Sequence, residues 1–275
     1  MTVEAYAKVN LTLEVFGVRA DGYHALRSIV QPISLSDTLT IEATDEGTAT
    51  SDTPFGEKDL IVRAAKALRA QAGDSFLSRG CRIHVEKRIP EGGGLGGGSA
   101  DAAATLRALN RLWNVNLSLD ALVDLAASIG SDVPALVLAQ EISAPVLMEG
   151  RGERVAPLDS VVRGASFETP SKTIILANPG VHSSTPEVFA RATARVETPR
   201  IDFRLANDLQ TAAIALHPEI GAVLDALRAA GATDVMMSGS GASVFGFVPN
   251  ADAGEPITRL LRARGLSSWC CSLLG

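Results

Sequence analysis

The residues best suited to chemistry form one run, Gly92-Gly93-Gly94-Leu95-Gly96-Gly97-Gly98-Ser99, six glycines in seven positions followed by a serine. Ordering glycine costs backbone entropy, so a folded chain concentrates it only where backbone must come close to something. Successive backbone N–H groups drawn up to an anion supply such a reason. Ser99-Ala100-Asp101-Ala102 then reads as a helix N-terminus, whose free N–H groups and positive dipole end favour phosphate. Immediately upstream, Cys81-Arg82-Ile83-His84-Val85-Glu86 alternates apolar and polar residues as a strand does. Strand, glycine loop and helix together make a phosphate cradle.

Two common cradles are excluded. A Walker loop ends in Gly-Lys-Ser/Thr, and no lysine stands between Gly98 and Ser99. Gly92, Gly94 and Gly97 match the dinucleotide fingerprint formally, but Lys87-Arg88-Ile89-Pro90-Glu91 separates strand from glycines. The acidic residue about 20 positions on, Asp120, sits at a helix start. The loop is a phosphate site of another kind.

The elements that must position it are legible in outline. Val3, Ala5, Ala7, Val9, Leu11, Leu13 and Val15 alternate with polar residues, which predicts a strand with one buried face. Lys8 and Asn10 then project side by side from its polar face. Arg19-Ala20-Asp21-Gly22-Tyr23-His24 reads as a turn carrying an aromatic ring and an imidazole, in a chain only 4% aromatic. Strands are expected within 29–41, helices at 59–72, 99–113 and 118–129, and a short helix opening at Ser131-Asp132-Val133-Pro134. Glu149-Gly150-Arg151-Gly152-Glu153 is a turn. A joint between two domains, 1–158 and 159–275, is expected in the irregular stretch that follows. Beyond it come a strand at 173–177, helices near 186–194, 208–216 and 218–230, and the turn Ser238-Gly239-Ser240-Gly241-Ala242 leading into a strand.

At 275 residues the chain can bury a full core, and 46% hydrophobic with 20% charged residues is ordinary for a globular protein. A net charge of −6 argues against nucleic-acid or anionic-membrane partners. No apolar run is long enough to span a bilayer and the first strand begins by Val3, which together predict a cytoplasmic protein. Three cysteines and four scattered histidines suit neither a disulfide framework nor a zinc site.

Four motifs in order along the chain resemble one family, the GHMP kinases: Ala7-Lys8-Val9-Asn10, Pro90 to Ala100, Gly130-Ser131-Asp132-Val133-Pro134, and Ser238-Gly239-Ser240-Gly241-Ala242. Arg19 to His24 and the doubled glycine triplet are similar to the branch whose acceptor alcohol carries a cytidine diphosphate. The resemblance implies an α+β fold with an N-terminal nucleotide-binding domain and a ferredoxin-like C-terminal domain. It implies transfer of the γ-phosphoryl group of ATP to the 2-hydroxyl of a methylerythritol unit in that acceptor. Residue by residue, it makes Lys8 and Asp132 catalytic, with Asp132 placed to take the hydroxyl proton. The ATP site it implies comprises Pro90, Glu91, Gly92, Gly93, Gly94, Leu95, Gly96, Gly97, Gly98, Ser99 and Ala100. Lys87 and Asp59 flank the adenine, although Asp59 stands where that family has an asparagine. Asn10, Tyr23, His24, Thr185, Phe189, Gly239 and Gly241 fall to the acceptor, with Tyr23 and Phe189 sandwiching its base. Mg²⁺ is the expected companion of ATP, contacting Ser99.

Each position also has a plain structural reading. Ser99 is a helix cap, Asp132 a capped helix start, Phe189 a core residue of its helix. A homoserine or mevalonate kinase keeps the loop but needs no cytosine pocket. An inert nucleotide-binding regulator has no use for Lys8 and Asp132 together. No obligate protein partner is evident.

Overall fold

In the computed structural model, residues 1–161, 167–197, 201 and 203–275 are described; part of the expected domain joint, 162–166, lies outside them. The chain opens with a long antiparallel pair, β1 (Thr2–Val18) and β2 (His24–Thr44), closed by the turn that carries Tyr23. Then follow β3 (Ala49–Ser51), α1 (Leu60–Ala72) and β4 (Gly80–Glu86), with β3 and β4 parallel. Next come α2 (Gly97–Leu112), α3 (Leu119–Ala126), α4 (Val133–Ile142), β5 (Val146–Gly150), β6 (Arg154–Pro157) and α5 (Leu158–Val161). The remaining elements are β7 (Thr173–Asn178), α6 (Thr185–Arg191), β8 (Ala206–Asn207), α7 (Gln210–Leu216) and α8 (Pro218–Ala229). They end with β9 (Thr233–Met237), β10 (Val244–Val248), α9 (Ala251–Ala263) and β11 (Ser267–Ser272).

The first sheet runs β3-β4-β2-β1-β8, with β5 added to β2 and β6 to β5. The length of β2 makes this possible: residues 38–44 pair with β4, and residues 26–30 pair with β5. The second sheet is antiparallel, in the order β11-β7-β10-β9. Taken in chain order, its strands and helices form the split βαβ arrangement of a ferredoxin-like unit. The expected α+β architecture with a ferredoxin-like second unit is the one found. The two halves interlock, because β8, from the second half, pairs in parallel with Thr12 and Leu13 of β1.

Burial explains the sequence patterns and corrects one of them. Ala5 to Val15 at odd positions are buried as the alternation predicts, yet Lys8, Asn10, Thr12 and Glu14 on the other face are buried too. The polar face of β1 is not solvated. Loops and side chains from distant parts of the chain cover it, and its polar groups are paired there. The short apolar run of β7 likewise faces cores on both sides: Ile174 and Leu176 join the main cluster, Ile175 and Ala177 the cluster under α7 and α8. Sequence reading missed β3, β5, β6, α5, β8, β9, α9 and β11; most of these are short, and α9 carries Gly254 and Pro256 within its pattern.

Phe245 is fully buried on β10 and meets Phe247 edge-on, with ring centroids 6.0 Å apart. Phe245→Ala should therefore lower the unfolding free energy by about 3–5 kcal/mol in urea denaturation. A loss below about 1 kcal/mol would contradict this packing.

Candidate active site

The glycine run is a loop of alternating conformations. Gly92, Gly94 and Gly96 have φ of 63°, 74° and 70°, a region that disfavours any side chain. Between them Leu95 is fully buried, and its carbonyl accepts the Lys8 N–H at 3.0 Å, which ties the loop to β1. Helix α2 begins at Gly97, two residues earlier than expected, with Gly96 as a cap that offers no side chain. Ser99 is thus the third residue of the helix and not its cap. The first-turn N–H groups are left facing the cleft with the dipole behind them.

Lys8 sits at the centre. Its buried ammonium donates to Asn10 Oδ1 at 2.7 Å and to the Gly94 carbonyl at 2.9 Å, and lies 3.5 Å from Asp132 Oδ2. Asn10 in turn donates to Ser28 Oγ at 2.7 Å, which fixes its amide. Asp132 occupies the cap position of α4 but makes no cap hydrogen bond, and a third of its side chain is exposed. The capped-helix reading of Asp132 fails on that geometry. Its carboxylate is turned to Lys8 and the cleft.

The second glycine turn, 238–242, docks onto the first. Ser238 Oγ donates to the Gly94 carbonyl at 2.9 Å, and Ser243 N–H donates to the Gly93 carbonyl at 3.0 Å. A Cβ on Gly94 would fall 2.1 Å from the Ser238 carbonyl oxygen, and one on Gly239 would fall 3.3 Å from Lys8 Nζ. Glycine is needed at Gly94 for the approach of two backbones, a constraint the sequence suggested only for an anion.

At one end of the cleft, Lys87 donates to Asp37 Oδ2 at 2.5 Å and to Asp101 Oδ2 at 2.8 Å. Burial alone would lower the Lys87 ammonium, but the two carboxylates outweigh it and hold it above its ordinary value. Burial pushes Asp101 up to about 7, Lys87 opposing and Asp37 adding to the rise. Asp59 caps α1 by accepting from Ile61 N–H at 2.9 Å and takes Ser51 Oγ at 2.5 Å, with Thr53 Oγ1 on the same oxygen. Both residues flanking the expected adenine are thus already engaged inside the protein.

At the other end, His24 and Phe189 form a tilted ring pair with centroids 5.4 Å apart. The exposed ring of Tyr23 carries the Arg151 guanidinium 5.3 Å from its centroid. In this structure Phe189 meets His24, and Arg151 is the group set over Tyr23. Phe189 is half-buried against the second core, as its plain reading expects, and it also lines the cleft. Thr185 Oγ1 and Ser240 Oγ are 2.8 Å apart. Arg151 went unremarked in the sequence beyond its turn. Gly152, whose Cβ would strike the Ser131 carbonyl oxygen at 2.1 Å, brings that turn against the start of α4.

These groups surround one cleft of about 1030 Å³. All the candidate residues line it except Leu95, Ala100 and Gly241, which hold its walls from behind. Among the described residues no group of three His, Cys, Asp or Glu side chains is placed to hold a metal ion, and no helix is long and apolar enough to cross a membrane.

Fold and cleft define the class of the GHMP kinases. The family model for the GHMP kinases N terminal domain matches residues 59–140, and that for GHMP kinases C terminal matches 194–265. Crystallised mevalonate kinase shares the fold at a TM-score of 0.69 and 15% identity, over 100% of this chain and 99% of that one. A 4-diphosphocytidyl-2-C-methyl-D-erythritol kinase from Symbiobacterium thermophilum is 38% identical over 98% of both chains, and one from Agrobacterium fabrum is 39% identical over 96% and 92%. A crystal structure of 4-(cytidine 5'-diphospho)-2C-methyl-D-erythritol kinase superposes with a TM-score of 0.83 at 34% identity, covering 100% of each chain. The chain belongs to the 4-diphosphocytidyl-2-C-methyl-D-erythritol kinase family. It is a small-molecule kinase, and ATP is the phosphoryl donor that membership implies.

Two glycines of the loop separate its structural constraints. Gly94→Ala should destabilise the protein by at least about 1–2 kcal/mol, because a side chain at positive φ costs that much before any clash. A Cβ on Gly98 meets nothing nearer than Leu60 Cδ1 at 3.8 Å, so Gly98→Ala should leave the melting temperature unchanged or raised. Equal melting temperatures for Gly94→Ala and the parent would show that the loops do not dock as described.

Proposed function

We propose that the enzyme transfers the γ-phosphoryl group of ATP to the 2-hydroxyl of 4-diphosphocytidyl-2-C-methyl-D-erythritol. The observation that carries the reading is the Lys8–Asp132 pair, 3.5 Å apart in a cleft with a glycine cradle on one side and an aromatic–imidazole recess on the other. The relatives' names point to the same acceptor.

In this reading the N–H groups of the glycine loop and of α2's first turn hold the triphosphate. Asp132 accepts the acceptor hydroxyl proton as that oxygen bonds to the γ-phosphorus, while the bond from phosphorus to the β–γ bridging oxygen breaks and ADP leaves. Lys8 orients Asp132 and lies ready to meet charge on the moving phosphoryl group. Its hydrogen bonds to Asn10 and the Gly94 carbonyl fix the ammonium beforehand, so little reorganisation is needed during transfer. We assign Mg²⁺ to the bound nucleotide, where it neutralises phosphate charge, with Ser99 as the side chain offered to it. Among the described residues no cluster of carboxylates is placed to hold the ion apart from the nucleotide.

The base end follows from the ring geometry. Tyr23 offers an exposed face, His24 and Phe189 a second surface, and Arg151 a cation beside them; a cytosine and its diphosphate match that set. Lys87, through the Asp37 and Asp101 carboxylates, and Asp59, through the Ile61 N–H, shape the opposite end for the purine. Residues 1–158 and 159–275 act as two lobes around the cleft, each carrying one sheet apart from β8. The site works in the cytoplasm, where ATP is available.

Lys8→Ala and Asp132→Asn should each lower turnover by ~10²–10⁴-fold in an ADP-release assay, with ATP affinity largely kept. Near-parental turnover in either variant removes that residue from the chemistry. Tyr23→Ala should weaken the cytidine acceptor by roughly 5- to 150-fold while ATP affinity stays constant, the scale of one base–aromatic stack. A uniform loss for both ligands would instead mark Tyr23 as structural.

A further inference from the structure

The loop between β7 and α6 carries a histidine that the chemistry above does not use. Its neighbours are fixed. Gly180 N–H donates to Asn178 Oδ1 at 2.7 Å, Val181 packs on the second core cluster, and buried Ser183 donates through Oγ to the Ser240 carbonyl at 2.6 Å. His182 stands between them, exposed and lining the cleft. Its ring edge lies against the first glycine of the phosphate loop: a Cβ on Gly92 would fall 2.4 Å from His182 Nδ1 and 2.9 Å from Cε1. Only a glycine at Gly92 admits the imidazole there. Among the described residues that ring has no hydrogen bond, ion pair or ring contact within the protein.

Two of the other cations lining the cleft are committed. Lys8 is held by Asn10, the Gly94 carbonyl and Asp132, and Lys87 by Asp37 and Asp101. His182 thus offers an unengaged donor at the junction of the glycine loop and the acceptor end of the cleft. It belongs to the acceptor side by its chain position, since the same segment runs directly into α6 with Thr185 and Phe189.

We propose that His182 is a binding residue for the diphosphate group of the acceptor, donating a hydrogen bond to one of its phosphoryl oxygens. This deepens the function proposed above and rests on it. A diphosphate is an acceptor-only, multiply charged group, and a hydrogen bond to a charged partner is among the stronger single contacts. Glycine at Gly92 then has a second role, that of leaving room for this ring.

The test uses isothermal titration of the parent protein, His182→Ala and His182→Gln with three probes: CDP, cytidine and ATP. His182→Ala should weaken CDP by roughly 5- to 30-fold and leave cytidine and ATP within about twofold. His182→Gln, which keeps a donor, should recover part of the loss. Unchanged CDP affinity overturns the proposal, and so does a loss shared equally by cytidine. A loss confined to ATP would place His182 on the nucleotide and also overturn it. If the parent protein binds neither CDP nor cytidine, the acceptor reading itself fails, which separates the two claims.

Discussion

The Gly94 carbonyl is the point on which the rest of the site depends. It accepts from Lys8 Nζ on β1 and from Ser238 Oγ in the second glycine turn. One oxygen therefore joins the first strand, the phosphate loop and the second sheet. The approach is possible because no side chain stands at Gly94 and because its positive φ turns the carbonyl toward both donors. Without that junction the Lys8 ammonium would have less to hold it beside Asp132, and the second sheet would lose a principal hydrogen bond to the loop.

The same economy of partners sets the electrostatics. Buried charges in this protein come with partners already in place: Lys8 with Asp132, Lys87 with Asp37 and Asp101, Arg27 with Glu14 and Glu149. Removing one member leaves the other exposed to its full desolvation cost, so these clusters fix geometry more than they add stability. Asp37 shows this most clearly. Beyond Lys87 it accepts the N–H groups of Arg88 and Ile89, and so sets the backbone that leads into the glycine loop.

Much of this was legible in the sequence because local chemistry and local structure coincide. Glycines before a helix, Lys8 on an alternating strand and Asp132 at a helix start each announce themselves within a few residues. The sequence pattern failed where contacts are long-range. Nothing local to β1 shows that its polar face is covered, since the groups covering it come from 86 to 228 positions away: Leu95 and Gly94 for Lys8, Ser238 for Asn10. Arg151 looked like a turn residue, and it is the pairing of β5 with β2, together with the packing of Gly152 on Ser131, that brings it to Tyr23. The expected pairing of Tyr23 with Phe189 also required knowing that His24 lies against that second ring. Ser99 was misplaced by a shorter error: a serine is a better cap than a glycine, but Gly96 adopts the left-handed conformation from which α2 starts.

The central claim is that this cleft recognises an acceptor by its cytidine diphosphate and phosphorylates its alcohol. Steady-state kinetics of the parent enzyme test it directly, with ATP fixed and two acceptors compared: 4-diphosphocytidyl-2-C-methyl-D-erythritol and methylerythritol phosphate without the cytidylyl group. The account predicts a kcat/KM higher by at least about 10²-fold for the cytidine-bearing acceptor, the worth of one stacked base together with its phosphate contacts. Equal catalytic efficiency on the two would contradict it and leave only the wider kinase class standing.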